Sequence, residues 1–176
     1  MAEFDSNSVQ TLYDTAKDEY NSERERSSTI DTKASIALPA LSAFFLAVAN
    51  ECDYYALFQL PIGTLPELLS AILLFLLYTA ALACSTTATV YAVRTIYPRT
   101  YTTLSSEHFY DEALLKEPAE TIRIGIAAKL IEATQNNKEQ NDTRMSLYSK
   151  GWIWGSVSAA AFVLYNVIYN IVTKGI

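Results

Sequence analysis

Residues 68–93 read LLSAILLFLLYTAALACSTTATVYAV, and this run decides the fold. No Asp, Glu, Lys, Arg or His interrupts it on any helical face. A helix needs roughly 20 apolar residues to cross ~30 Å of hydrocarbon, whereas a buried core helix stops at about 10–14 residues or keeps a polar stripe. The run is therefore read as a membrane-spanning helix and not as the core of a soluble bundle. Two further charge-free blocks flank it, residues 34–50 and residues 151–173. The third block is long enough outright, and the first stands at the short end of the range, about 17 residues. The expected fold is an all-α membrane protein with three transmembrane helices. The first and third are expected to extend into the cytoplasm as a small helical bundle.

Charge places the segments. The net charge of −6 hides an asymmetry in Lys and Arg, which collect in cytoplasmic loops. Residues 1–33 hold Lys17, Arg24, Arg26 and Lys33, and residues 94–150 hold eight more, from Arg94 to Lys150. Residues 51–67 hold none. The expected order is a cytoplasmic N-terminal helix (1–33), a first span (34–50), an external loop (51–67) and a second span (68–93). A cytoplasmic helical segment (94–150), a third span (151–173) and an external tail (174–176) follow. This is the layout of a multi-pass membrane protein. A cleaved signal peptide is not expected, because the first apolar block lies behind a long acidic segment.

Local patterns fill in the layout. Residues 1–8 read as frayed, and Val9, Tyr13, Ala16 and Tyr20 mark the first helical face. No Gly or Pro precedes the first span, so the helix should run unbroken into the bilayer, with a kink at Pro39. Tyr54, Tyr55 and Phe58 suit the headgroup level of the external loop. Pro98 should end the second helix. A short helix is expected from Ser105 or Ser106 to Glu117, and Pro118 fits the first turn of a long one. That helix shows an apolar face of Ile122, Ile126, Ala127, Leu130 and Ile131, then a run from Thr134 to Arg144 that reads as polar on all sides. Met145, Tyr148 and Trp152 resume the stripe, with Gly151 as a candidate hinge.

Catalytic constellations are missing. The lone histidine, His108, lies beside Phe109 and Tyr110, and no Gly-rich phosphate loop, metal motif or nucleophile elbow occurs. The spans contain no ionisable side chain of the kind an intramembrane enzyme requires. The chain is not expected to be an enzyme or to hold a metal. Cys52 and Cys84 lie at different depths, which disfavours a bridge between them. Cys52 could pair with its copy in another subunit. Interspersed acids argue against general nucleic-acid binding.

Polar and small residues are the remaining candidates. Gly151, Gly155 and Ala159 share a face of the third span, and Ala80, Cys84 and Ala88 share one of the second. Small residues let helices approach closely, within a subunit or between subunits of a homo-oligomer. Ser85, Thr86, Thr89, Asn166 and Asn170 are either interhelical clasps or the lining of a pore. Arg24, Arg26, Lys33, Arg94, Arg99 and Arg144, with Asn137 and Asn141, are either topology anchors and headgroup contacts or an anion pocket. Asp31 stands where the first helix meets the bilayer and needs a basic partner such as Arg94 or Lys150.

The run Glu23-Arg24-Glu25-Arg26-Ser27-Ser28-Thr29-Ile30-Asp31-Thr32-Lys33-Ala34 leads straight into the first span. With Asn136-Asn137-Lys138 before the last span, it resembles small bacterial antiphage membrane effectors, the Pycsar-type transmembrane effectors and the SLATT-domain proteins. The resemblance implies a protein triggered by a signal, often a cyclic nucleotide second messenger, that damages the host membrane. No dedicated nucleotide-binding domain is visible, so the trigger is either a nucleotide or a soluble cytoplasmic partner protein. The expected function is an oligomeric inner-membrane effector or sensor of antiphage defence, without a resident cofactor, that disrupts membrane integrity or potential. The alternative is a membrane-anchoring or regulatory subunit of a larger complex without its own pore, and a holin-like toxin stands third.

Overall fold

The computed structural model describes residues 5–51, 63–97, 100–104 and 116–174. Cys52, the aromatics of the external loop, Arg99, His108 and the helix expected after Ser105 fall outside these residues. Among the described residues three helices carry the fold: α1, Ser6–Glu51; α2, Leu65–Ile96; and α3, Ala119–Lys174. Each is long and apolar enough to cross a membrane.

The helix ends follow from local chemistry. α1 begins at Ser6, earlier than the pattern suggests, because Asp5 caps it. The Asp5 carboxylate accepts from the Ser8 hydroxyl at 2.9 Å and the Ser8 amide at 3.1 Å. These two bonds hold its pKa below the ordinary carboxylate value. α1 stays helical through Pro39. α2 begins three residues before its charge-free run, because Glu67 folds back to accept from the amides of Gly63 and Thr64 at 2.8 and 3.0 Å. It ends ahead of Pro98, with Tyr97 as its C-cap. α3 starts just after Pro118, whose carbonyl accepts from the Ile122 amide. It continues through Gly151 without interruption.

The chain divides into two compact units. One comprises Met1–Thr32 and Pro98–Met145, the other Lys33–Tyr97 and Ser146–Ile176.

In the second unit, α1, α2 and α3 contribute to one apolar core of Val48, Leu74, Tyr78, Ala81 and Tyr165, with Phe44 and Phe162 packed against it. Tyr78 and Tyr165 meet at 5.8 Å between ring centroids, and Phe44 meets Phe162 edge to face at 6.3 Å. Small residues make the close approach possible. A Cβ on Gly155 would stand 2.8 Å from Leu41 Cδ2, and one on Gly151 would stand 3.4 Å from the Ala88 carbonyl. The Ser158 hydroxyl donates to the Ala81 carbonyl at 2.6 Å. Outward, Leu69, Leu76, Val163 and Leu164 remain more than half exposed. Such surface is costly in water and at home against lipid tails.

The first unit has an apolar cluster of Ala16, Ala127 and Leu130, flanked by Tyr13, Tyr20, Leu104 and Ile126. Beyond Leu130 its buried face changes character.

Candidate functional site

The helical period of α3 continues through the run that reads as polar on all sides. Thr134, Asn137, Asn141 and Arg144 recur at three- and four-residue spacing, and all four are buried. They extend the face of Ala127 and Leu130. Burying such groups demands partners. α1 and the irregular segment at residues 101–104 supply them.

Thr134 bonds back to the Leu130 carbonyl at 2.8 Å. Asn137 reads the backbone of Thr102. Its Oδ1 accepts from the Thr102 amide at 3.0 Å, and its Nδ2 donates to the Thr102 carbonyl at 3.2 Å. This reciprocal pair pins the segment to α3, and Asn136 adds a bond to the Thr102 hydroxyl. Asn141 faces α1. Its Nδ2 donates to both the backbone carbonyl and the carboxylate of Glu23, each at 2.9 Å. Its Oδ1 accepts from the Tyr101 hydroxyl at 2.9 Å.

Arg144 closes the seam. It donates to the Tyr101 hydroxyl at 2.8 Å, to Ser27 at 3.3 Å and to the Asp31 carboxylate. The Tyr101 hydroxyl thus accepts from Arg144 and donates to Asn141, which joins the two buried α3 residues through one phenol. Burial works against the guanidinium charge, but the hydrogen bonds it donates to Asp31 and Tyr101 outweigh that and raise the pKa. Arg26 spans α1 and α3 at the rim, donating to Asp142 at 2.6 Å and approaching Glu23 at 3.4 Å. The Asp142 bond raises its pKa. Both members of that outer pair are substantially exposed, so it adds little stability.

Of the candidate anion ligands, the structure joins Arg26, Asn137, Asn141 and Arg144 in one network, with Glu23, Asp31 and Asp142 as the chain's own acceptors. Arg24 is exposed, and Lys33 and Arg94 belong to the other unit. The base that meets Asp31 is Arg144, whereas the sequence pointed to Arg94 or Lys150. The difference is one of register: residue 144 continues the buried face set by Ala127 and Leu130, and Lys150 is exposed. Tyr101, Thr102, Ser27 and Glu23 were missed. Glu23 had a signal, since it shares a helical face with Tyr20 and Ser27. Tyr101 and Thr102 lie in a segment without periodicity and had none.

The remaining candidates sit in the second unit. Gly151, Gly155 and Ala88 are buried within the chain, while Ala159 and Cys84 are half-buried and Ala80 is exposed. Ser85 and Thr86 bond to the Leu82 carbonyl, and Thr89 bonds to that of Ser85. Asn166 and Asn170 donate to the carbonyls of Phe162 and Asn166 in their own helix. Among the described residues, no group of three or more His, Cys, Asp or Glu is placed to hold a metal.

The family model described as the Pycsar effector protein domain matches residues 15–135. The chain belongs to the Pycsar effector family. No curated protein and no solved structure matches it. The Pycsar effector match covers Glu23, Arg26, Ser27, Asp31, Tyr101 and Thr102, and it stops before Asn137, Asn141 and Arg144. Family membership and the three long apolar helices together mark a membrane effector. The Pycsar effector domain is not a known enzyme family.

Proposed function

We propose that this protein is an oligomeric inner-membrane effector of antiphage defence, which disrupts membrane integrity or potential when its cytoplasmic helices are engaged. The N-terminus and the segment between the second and third spans face the cytoplasm, as the Lys and Arg distribution favours. The observation that carries the reading is the buried polar seam built around Arg144 in a member of the Pycsar effector family. A polar seam suits a switch better than an apolar core does. Its bonds can be exchanged for those of an anion, and an arginine fork takes phosphate as readily as carboxylate.

The trigger in this reading is a cyclic nucleotide second messenger, or a partner protein that carries an equivalent anionic group. Its phosphate competes with Asp31, Glu23 and Asp142 for Arg144 and Arg26. α1 and α3 each continue from the unit holding the seam into the unit holding the spans. A change of packing in the seam thereby biases two arrangements of the spans that need differ by only a few kcal/mol. In the active oligomer Asn166 and Asn170 line a weakly selective path. Selectivity by charge needs rings of charged side chains, which the spans lack.

The test is membrane potential in bacteria that express the chain with and without a co-expressed nucleotide cyclase. Depolarisation that depends on the cyclase supports the reading. A potential that holds under the signal and under phage infection transfers support to the anchoring-subunit alternative.

A further inference from the structure

The second unit carries an open groove of about 340 Å³ lined by Phe45 of α1 and by Thr86, Thr89, Val90, Val93 and Arg94 of α2. The five α2 residues recur on one helical face. Thr86 and Thr89 turn their hydroxyls back to carbonyls of their own helix, so the walls present methyl groups and an aromatic ring. Along α2 the groove runs eight residues, about 12 Å, from the depth of Thr86 to the end of the charge-free run. Its mouth is different: Arg94 is exposed and pairs with no other described residue.

An apolar channel that rises from the bilayer interior to a guanidinium at headgroup level has the chemistry of a phospholipid. We propose that this groove holds an acyl chain of an anionic phospholipid whose phosphate is bound by Arg94. Arginine's fork matches phosphate oxygens, and basic pockets beside spanning helices at the cytoplasmic face select anionic headgroups. A second copy of the chain is the less suitable occupant, because Asp31, the acidic residue at the bilayer entry of α1, is already held by Arg144 of its own chain. Lys33 is also exposed at an end of the charge-free first span but does not line the groove. It separates a bound lipid from general attraction to an anionic surface.

Native mass spectrometry of the full chain, released from mixed micelles of phosphatidylglycerol and phosphatidylcholine, tests this. The wild type is expected to retain phosphatidylglycerol in preference to phosphatidylcholine. Arg94→Gln should lower phosphatidylglycerol retention about fivefold, the worth of one basic residue near a membrane surface, and leave phosphatidylcholine unchanged. Val90→Trp, at a lipid-facing position, should lower retention of both. Lys33→Gln should change neither. Retention unaltered by Arg94→Gln, or lowered equally by Lys33→Gln, overturns the proposal. So does a disulfide-linked dimer of V90C in a C52S/C84S chain, which would assign the groove to a second copy.

Discussion

Arg144 on α3 keeps 3% of its side-chain surface, whereas Asp31 on α1, the carboxylate it donates to, keeps 60%. The two ends of this ion pair therefore differ in what water can repair. Removing the carboxylate's charge leaves a buried cation among neutral acceptors, Tyr101 and Ser27 among them. Removing the arginine leaves a carboxylate that hydrates in place. Asp31→Asn is expected to destabilise the protein by about 1–3 kcal/mol, toward the lower end because the carboxylate is wet. Arg144→Met should cost less than Asp31→Asn, since the thioether chain fills the space of the arginine stem and no buried charge is stranded. Thermal denaturation of the detergent-solubilised chain ranks the two; the reverse order would contradict the burial asymmetry.

Tyr101 and Asn141 form the inner part of the seam. Tyr101→Phe removes the oxygen that accepts from Arg144 and donates to Asn141, at an expected cost of about 1–3 kcal/mol. Asn141→Asp should be worse at neutral pH, because the new carboxylate faces Glu23 where an amide donated. Its pKa in the folded state would be raised, so the defect should shrink as pH falls. A melting temperature for Asn141→Asp that does not rise between neutral and mildly acidic pH would contradict the Glu23 contact.

The shifts at Arg26 and Arg144 are upward, so their stabilisation is fully present below the ordinary arginine pKa and would fade only at strongly alkaline pH. Glu67 behaves oppositely. The Gly63 and Thr64 amides depress its pKa, so the start of α2 is best held above the ordinary carboxylate value and loosens as pH falls through the lowered one. The protection of those two amides, measured as exchange relative to the intrinsic rate at each pH, should fall in the wild type as pH drops below the ordinary carboxylate value. In Glu67→Gln it should show no corresponding titration.

Gly155 tests where the small residues act. Leu41 crowds its Cβ position within the same chain, so Gly155→Leu should destabilise the three-helix packing by about 1–3 kcal/mol. A smaller oligomer with unchanged thermal stability would place this face between subunits instead.

How much of this was legible in the sequence depended on which physical rule governed each element. Absence of charge over residues 68–93 is sufficient for a span, and the three apolar blocks map onto three helices. Boundaries moved where side chains reached back to the backbone, as Asp5 and Glu67 do, because capping adds turns that hydropathy does not register. The seam was only half visible. Asn137, Asn141 and Arg144 stood out as polar residues near the membrane, but their burial was hidden because hydropathy ranks them as surface. Following the period of Ala127 and Leu130 onward would have exposed it. Tyr101 could not be assigned, since its place depends on a bond to α3 some forty residues away.

Asn166 and Asn170 decide whether the spans carry a polar path. Both amides are half-buried and donate within their own helix, so replacing them should not prevent insertion. The double substitution Asn166→Leu with Asn170→Leu is expected to abolish signal-dependent depolarisation at normal membrane abundance. Depolarisation at the wild-type rate would remove these residues from the conducting path.

The central claim is that engaging the cytoplasmic seam opens the membrane. It is tested most directly with the purified chain in vesicles that hold a potassium diffusion potential, monitored with a voltage-sensitive dye while cyclic mononucleotides are added one at a time. The account predicts that one of them dissipates the potential with the wild type and that Arg144→Met abolishes or strongly weakens the response. A potential that persists with every nucleotide and with phage-infected cell extract would contradict the account.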